Sequence, residues 1–283
     1  MGVHNQRKEY GSMLVELGKK NPDIVVLEAD LGKSTMSCMF EEAFPDRYFE
    51  MGIAEQNMTS FAGGLALAGK VPFTNTFAVF ASGRAYDQIR QSIATAKLNV
   101  KIVGSSSGMS DFGDGATHQS IDDVAIMSAI PNMTVFTPCD GLEVRRAVEA
   151  AAQLEGPCYI RLCRNDLEDI FPTDVAYRIG EPVVLREGTD VTVFTHGIMA
   201  HEALKAAAAA EKEGISVSVV HIPTIKPLNE EAVRTLSAGK KGVVVCEECS
   251  IRGGLNMLVS FAPRGSGLPF GRGAGIDVFG RCA

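Results

Sequence analysis

The sequence predicts an α/β protein of two domains, each a mostly parallel sheet flanked by helices. Three observations lead there. Helical and extended patterns alternate along the chain, the rhythm of sheets layered with helices. Ile24-Val25-Val26-Leu27-Glu28 is a continuous, mostly β-branched run, as a strand buried on both faces requires. Between residues 165 and 190 the rhythm breaks, with Asp166, Glu168, Asp169, Pro172, Asp174, Gly180 and Pro182 dominating, and then resumes. The expected division is a first domain at 1–168, a linker at 169–189 and a second domain at 190–283.

In order, residues 7–20 form an amphipathic helix, and the strand 24–28 ends in the polar loop Ala29-Asp30-Leu31-Gly32-Lys33-Ser34-Thr35. Ligands of open α/β sheets bind at that edge. Met51-Gly52-Ile53-Ala54-Glu55-Gln56-Asn57-Met58 turns into a small-residue helix that runs to about Gly69. Its adjacent Gly63 and Gly64 disfavour a helix by about 1 kcal/mol each against alanine, so a second helix or a ligand should approach the backbone there. Val71-Pro72-Phe73-Thr74 begins a strand, 82–96 is helical, and Val100–Gly104 is extended. The Gly/Ser-rich stretch from Ser105 to Gly115 is long enough to be functional rather than a mere connection. Residues 120–129 and 140–153 are helical, 133–137 and 158–162 extended. Beyond the linker come a strand at 191–194, a helix at 199–213 with an alanine run, and strands at 215–220 and 242–246. No internal repeat is evident.

Apolar residues make up 46% of the 283, enough for a real core. The net charge of −7 gives no reason to expect a nucleic acid or an anionic membrane as partner. No apolar run reaches the roughly 20 residues that span a bilayer. The N-terminus is polar, and Gln6 breaks the myristoylation pattern that Met1-Gly2 would open. Seven cysteines at scattered spacing indicate reduced thiols and a cytoplasmic protein. Cys246-Glu247-Glu248-Cys249 is a lone C-x-x-C with no second ligand pair, so the structural reading of these cysteines stands.

Glu55 is the one acid of its octapeptide, beside Ile53, Ala54 and Met58 and with no Lys or Arg within the octapeptide. Such a carboxylate is desolvated unless something hydrogen-bonds it. The plain alternative is an acid favoured by a helix dipole. Gly52-Ile53-Ala54-Glu55-Gln56-Asn57 resembles the pyrimidine-domain signature of thiamine-diphosphate enzymes of the transketolase group. The likeness continues in order through Thr74–Phe80, Gly83–Arg90, Asp114-Gly115-Ala116-Thr117-His118-Gln119, Ile130–Val135 and Arg161-Leu162-Cys163-Arg164, covering nearly all of residues 10 to 255. The form it resembles most is the C-terminal subunit of a split transketolase, which carries the pyrimidine-binding and C-terminal domains.

The resemblance implies thiamine diphosphate as cofactor, with Glu55 as its catalytic carboxyl and Phe77 and Phe80 lining the aminopyrimidine pocket. Plain core packing is the alternative for the two rings. It implies that His118 faces cofactor and substrate, that Asp114 contacts a sugar hydroxyl and that Arg164 holds a sugar phosphate. By position in the substrate channel, Asp30 and Ser34 are further candidates; Ser34 could equally be a helix N-cap. Arg84 either binds substrate or pairs with an acid. Two departures put ordinary pentose phosphates in doubt: Ser106 stands where many relatives carry a phosphate-binding histidine, and Gly113 where they carry a glutamate. Gly113-Asp114-Gly115 imitates the start of the diphosphate–Mg²⁺ motif, but that motif sets its asparagine well beyond the 17 residues separating Asn132 from Gly115. The expectation is therefore no metal ligand on this chain, Mg²⁺ and diphosphate held by an N-terminal transketolase subunit, an α2β2 assembly with the helix at 59–69 as a contact, and transfer of a two-carbon ketol group between small-molecule sugars. The family usually continues for another helix after the Phe-Gly matching Phe279-Gly280, so a divergent or truncated end is expected. Alternatives are a deoxyxylulose-phosphate-synthase-like subunit, a 2-oxo-acid dehydrogenase beta-type subunit, and a non-catalytic partner.

Overall fold

The computed structural model describes residues 2–171, 176–262 and 267–275. The strands are β1 (Val3–Asn5), β2 (Ile24–Glu28), β3 (Tyr48–Glu50), β4 (Val71–Phe77), β5 (Lys101–Ser105), β6 (Thr134–Phe136), β7 (Cys158–Arg161), β8 (Asp166–Glu168), β9 (Val183–Arg186), β10 (Val191–Thr195), β11 (Val217–His221), β12 (Thr224–Lys226), β13 (Gly242–Ser250) and β14 (Phe270–Gly275). The larger sheet has the order β12-β6-β7-β5-β4-β2-β3 and the smaller one β14-β13-β10-β11-β9. Each is parallel apart from one antiparallel edge strand, β12 and β9 respectively.

Local chemistry sets the helix starts. Asn5 accepts the N–H groups of Arg7 and Lys8 at the head of helix Gln6–Lys20, and Asp140 accepts that of Glu143 at the head of Gly141–Gln153. These helices cover one face of the larger sheet through Tyr10, Leu14, Phe73, Phe136 and Val148. On the other face Met58, Ala62, Ile89, Ile93 and Tyr159 continue without a break into Phe194, Val220, Ile222, Val245 and Leu255 of the second unit. The two units thus share one core, and burial of each Val, Leu, Ile, Phe or Met side chain in it contributes roughly 1.5–3 kcal/mol.

The helix Glu55–Leu67 packs on the segment Ile89–Ala94, and a Cβ at Gly63 would lie 3.1 Å from the Ser92 carbonyl. The expected close approach therefore holds at Gly63. Gly64 meets nothing within 4 Å among the described residues, so no packing contact there calls for a glycine.

Several elements differ from expectation. The helix placed at 82–96 begins earlier and is π-helical at Phe80–Arg84 and Ile89–Ala94, with an α turn at Tyr86–Gln88 between them. The stretch 169–189, expected as a linker, contains β9, an edge strand of the smaller sheet, and β8 just before it pairs with β1. β12 follows β11 in the chain yet joins the larger sheet beside β6, tying the second unit to the first. β14 pairs with β13 and forms the other edge of the smaller sheet. Phe279-Gly280 and the rest of the C-terminal end lie outside the described residues. Among the described residues no helix is long and apolar enough to cross a membrane.

Candidate active site

The segments that follow β3, β4, β5 and β7 carry two groups of side chains, the second completed by Arg7 of the helix Gln6–Lys20. The first centres on Glu55, the first residue of its helix and 1% exposed. No cation of its own octapeptide meets it. Arg84, from the π-helical turn after β4, donates from Nη1 to Glu55 Oε1 at 2.7 Å, while Oε2 is buried with no hydrogen-bond partner among the described residues. Of the two readings of Arg84, the structure shows the pairing with an acid. The same guanidinium lies 4.2 Å from the centre of the Phe80 ring. Phe80 and Phe77 are stacked at 6.1 Å with 14° between their planes. His118 meets both rings edge-on, at 6.0 and 5.3 Å, and its Nδ1 is 2.8 Å from Thr117 Oγ1. Glu55, Arg84, Phe80, Phe77 and His118 thus form one continuous patch.

The second group surrounds a cavity of about 390 Å³ lined by Arg7, Ser110, Asp111, Gly113, Arg164 and Asn165 among others. Arg164 Nη1 donates to Asp111 Oδ1 at 3.1 Å and to Asp114 Oδ2 at 2.6 Å. Burial pushes the Asp111 carboxyl up, against the lowering effect of the Arg164 hydrogen bond. Arg7 donates to the carbonyls of Ser34 and Arg164, and burial, then the nearby Arg164, acts against its charge. Two guanidinium groups facing one cavity favour an anionic or multiply hydroxylated guest.

The remaining candidates fall as follows. Ser34 lies inside the one-turn helix Gly32–Thr35, whose N-cap is Leu31, so it is not the cap; its carbonyl steadies Arg7. Asp30 is exposed at φ 62°, its N–H on Glu50 Oε1, and no hydrogen bond or ion pair joins its side chain to either group. Ser106, expected at a phosphate position, is wholly buried at φ 52° rather than lining the cavity, and its Oγ has no partner among the described residues. Sequence reasoning missed Arg7 and Asp111. Asp111 sits in the long loop already singled out, whereas Arg7 lies in a helix start that resembles any other.

The loop from Ser105 to Gly115 is anchored near its start. Ser107 donates from N–H and Oγ to the Leu162 carbonyl, and Gly108 donates to that of Ser120. The cysteine pair of 246–249 divides: Cys246 is half-buried, while Cys249 Sγ is buried 4.0 Å from His196 Nε2. Their neighbour Glu247 accepts the N–H groups of Leu255 and Asn256 and so holds the start of helix Leu255–Phe261.

Comparison with known proteins shows the family. The family model "Transketolase, pyrimidine binding domain" matches residues 4–169, and "Transketolase, C-terminal domain" matches 180–265. A chain of Methanocaldococcus jannaschii provisionally described as a transketolase C-terminal section is 43% identical over 99% of this chain and 89% of that one. The 6-deoxy-6-sulfo-D-fructose transketolase subunit of Clostridium sp. (strain MSTE9) is 42% identical over 89% of this chain and 78% of its own. A solved split-gene transketolase, an inactive beta4 tetramer, superposes with a TM-score of 0.89 at 45% identity, covering 96% of this chain and 90% of that one.

Proposed function

The chain belongs to the transketolase family, whose members depend on thiamine diphosphate, and is similar to C-terminal subunits of split transketolases; from that premise we propose that it works with a separate N-terminal section which holds the diphosphate and Mg²⁺. The pair moves a two-carbon ketol group from a ketose to an aldose. The observation that carries this reading is Glu55: a buried carboxyl with one unpartnered oxygen, joined through Arg84 to a stacked aromatic pair.

These residues fit an aminopyrimidine. Glu55 Oε2, buried without a partner among the described residues, is available to exchange a proton with a ring nitrogen. Phe77 and Phe80 offer an apolar face for a heteroaromatic ring. When bound, thiamine diphosphate supplies the electron sink for two-carbon transfer. His118, edge-on to both rings, carries a proton to or from a sugar hydroxyl. Asp114 accepts from a sugar hydroxyl, and Arg7 and Arg164 hold the far end of the sugar. Because Asp111 and Asp114 already engage Arg164, the cavity does not demand a dianion, and donors with and without a phosphate belong in the screen. We place the protein in the cytoplasm, consistent with its free cysteines.

The test is calorimetric titration of thiamine diphosphate and Mg²⁺ into the chain alone, the N-terminal section alone and their mixture. Tight binding only in the mixture is expected. Equally tight binding by this chain alone would refute the division of labour.

A further inference from the structure

Glu248 of β13, in the C-terminal unit, reaches into the loop that carries Asp111 and Asp114. Its Oε2 accepts the Ser110 N–H at 3.1 Å, and its Oε1 accepts from Arg161 Nη1 at 2.9 Å. Gly108 lies flat against the carboxylate: a Cβ there would stand 2.1 Å from Glu248 Cδ, and φ is +79°. Arg161, at the end of β7, in turn holds Asp123 through Nε at 2.9 Å. Glu248 is 4% exposed, so this is an interior contact between the two units. Without the carboxylate, the 108–110 backbone loses its hydrogen-bonded stop, and Asp111, one residue on, loses its fixed place beside Arg164.

We propose that Glu248 is a positioning residue for substrate binding: the C-terminal unit, through this one carboxylate, sets the loop 108–114 so that Asp111 and Asp114 aim the Arg164 guanidinium into the sugar cavity. This rests on the functional reading above for its kinetic consequence, but not for its structural one. The role differs from that of Glu55, since Glu248 acts only through the backbone of Gly108 and Ser110 and through Arg161.

Two variants test it. Glu248→Ala removes the stop. Gly108→Ala leaves the buried Arg161–Asp123–Glu248 group chemically intact but forces the loop off the carboxylate, so it stays informative if Glu248→Ala folds poorly. In the chain alone, amide hydrogen exchange across 108–114 should quicken at least tenfold in either variant, the scale expected for loss of one hydrogen bond to a charged group. In the mixture with the N-terminal section, KM for the sugar should rise about tenfold, with a much smaller fall in kcat. Glu248→Gln, which keeps the shape but presents an amide to two donors, should fall between. Unchanged exchange across 108–114 in both variants would overturn the proposal whatever the kinetics. Equal falls in kcat with unmoved KM would overturn the positioning role. If exchange quickens as stated but the wild-type mixture transfers no ketol group, the transketolase reading fails and the loop anchor remains.

Discussion

Replacing Arg161 with methionine should be among the most damaging single changes in this chain. Arg161 is 2% exposed at its side chain, Asp123 0% and Glu248 4%, and the two carboxylates each hold a different guanidinium nitrogen at 2.9 Å. Although burial opposes its charge, the carboxylates of Asp123 and Glu248 keep Arg161 firmly protonated. Arg161→Met leaves two acids buried without a cation and strips Tyr159 and Asp123 of their shared arrangement. Breaking a buried pair by deleting one partner destabilises by about 3–5 kcal/mol. Taking about 4 kcal/mol and an unfolding entropy of roughly 2.1 cal/mol/K per residue, the 283-residue chain should lose about 7 °C in Tm. Urea and thermal unfolding followed by circular dichroism measure this. Adding Asp123→Asn and Glu248→Gln to the variant removes the stranded charges and should recover at least half the loss. An Arg161→Met protein within 1 kcal/mol of wild type, or no recovery in the triple variant, would refute the reasoning.

Burial pushes the Glu28 carboxyl up to about 7, against the hydrogen bonds from Ser37, Thr35 and the Ala29 N–H. A carboxyl held above its unfolded value stays protonated in the native chain while unfolded chains ionise, so stability should fall by about 3 kcal/mol as pH rises from 4.5 to 7 and level off above. Carbon-13 NMR titration should find Glu28 titrating near neutrality, and a midpoint below 5 would contradict this; Glu28→Gln should remove that part of the pH slope. Arg84→Met strands Glu55 and should lower the stability of the unliganded chain by about 3 kcal/mol, less whatever water screens at the half-exposed guanidinium. Unchanged urea midpoints would show that the Arg84–Glu55 contact holds nothing in solution.

Much of the fold was legible where local pattern and burial coincide. The run Ile24–Glu28 became β2 with every residue buried, and the expected helix at 7–20 is observed as Gln6–Lys20. What escaped was pairing at long range. β1 finds β8 across more than 160 residues, and β9 and β12 are short edge strands whose partners no periodicity names. The candidate site divides the same way. Phe77 and Phe80, three apart at a strand end, do stack, whereas nothing along the chain announces that Asp114 and Arg164 pair with each other. Glu55 gives no hint along the chain that its counter-charge is Arg84, 29 residues away, nor does Ser110 that its anchor is Glu248, 138 away. Ser106 shows the converse: a serine in a polar loop looks available, but the left-handed turn at φ 52° sends it inward.

The most direct test of the central claim is the rate of two-carbon transfer by this chain mixed with an N-terminal transketolase section, thiamine diphosphate, Mg²⁺, a ketose donor and an aldose acceptor. Glu55→Gln is run beside the wild type, after confirming that the variant is folded. The account predicts transfer by the wild-type mixture and a loss of at least a hundredfold in the variant, the lower range for removing a group that moves a proton in the transition state. A variant as fast as wild type, or a wild-type mixture inert on every donor, would contradict it.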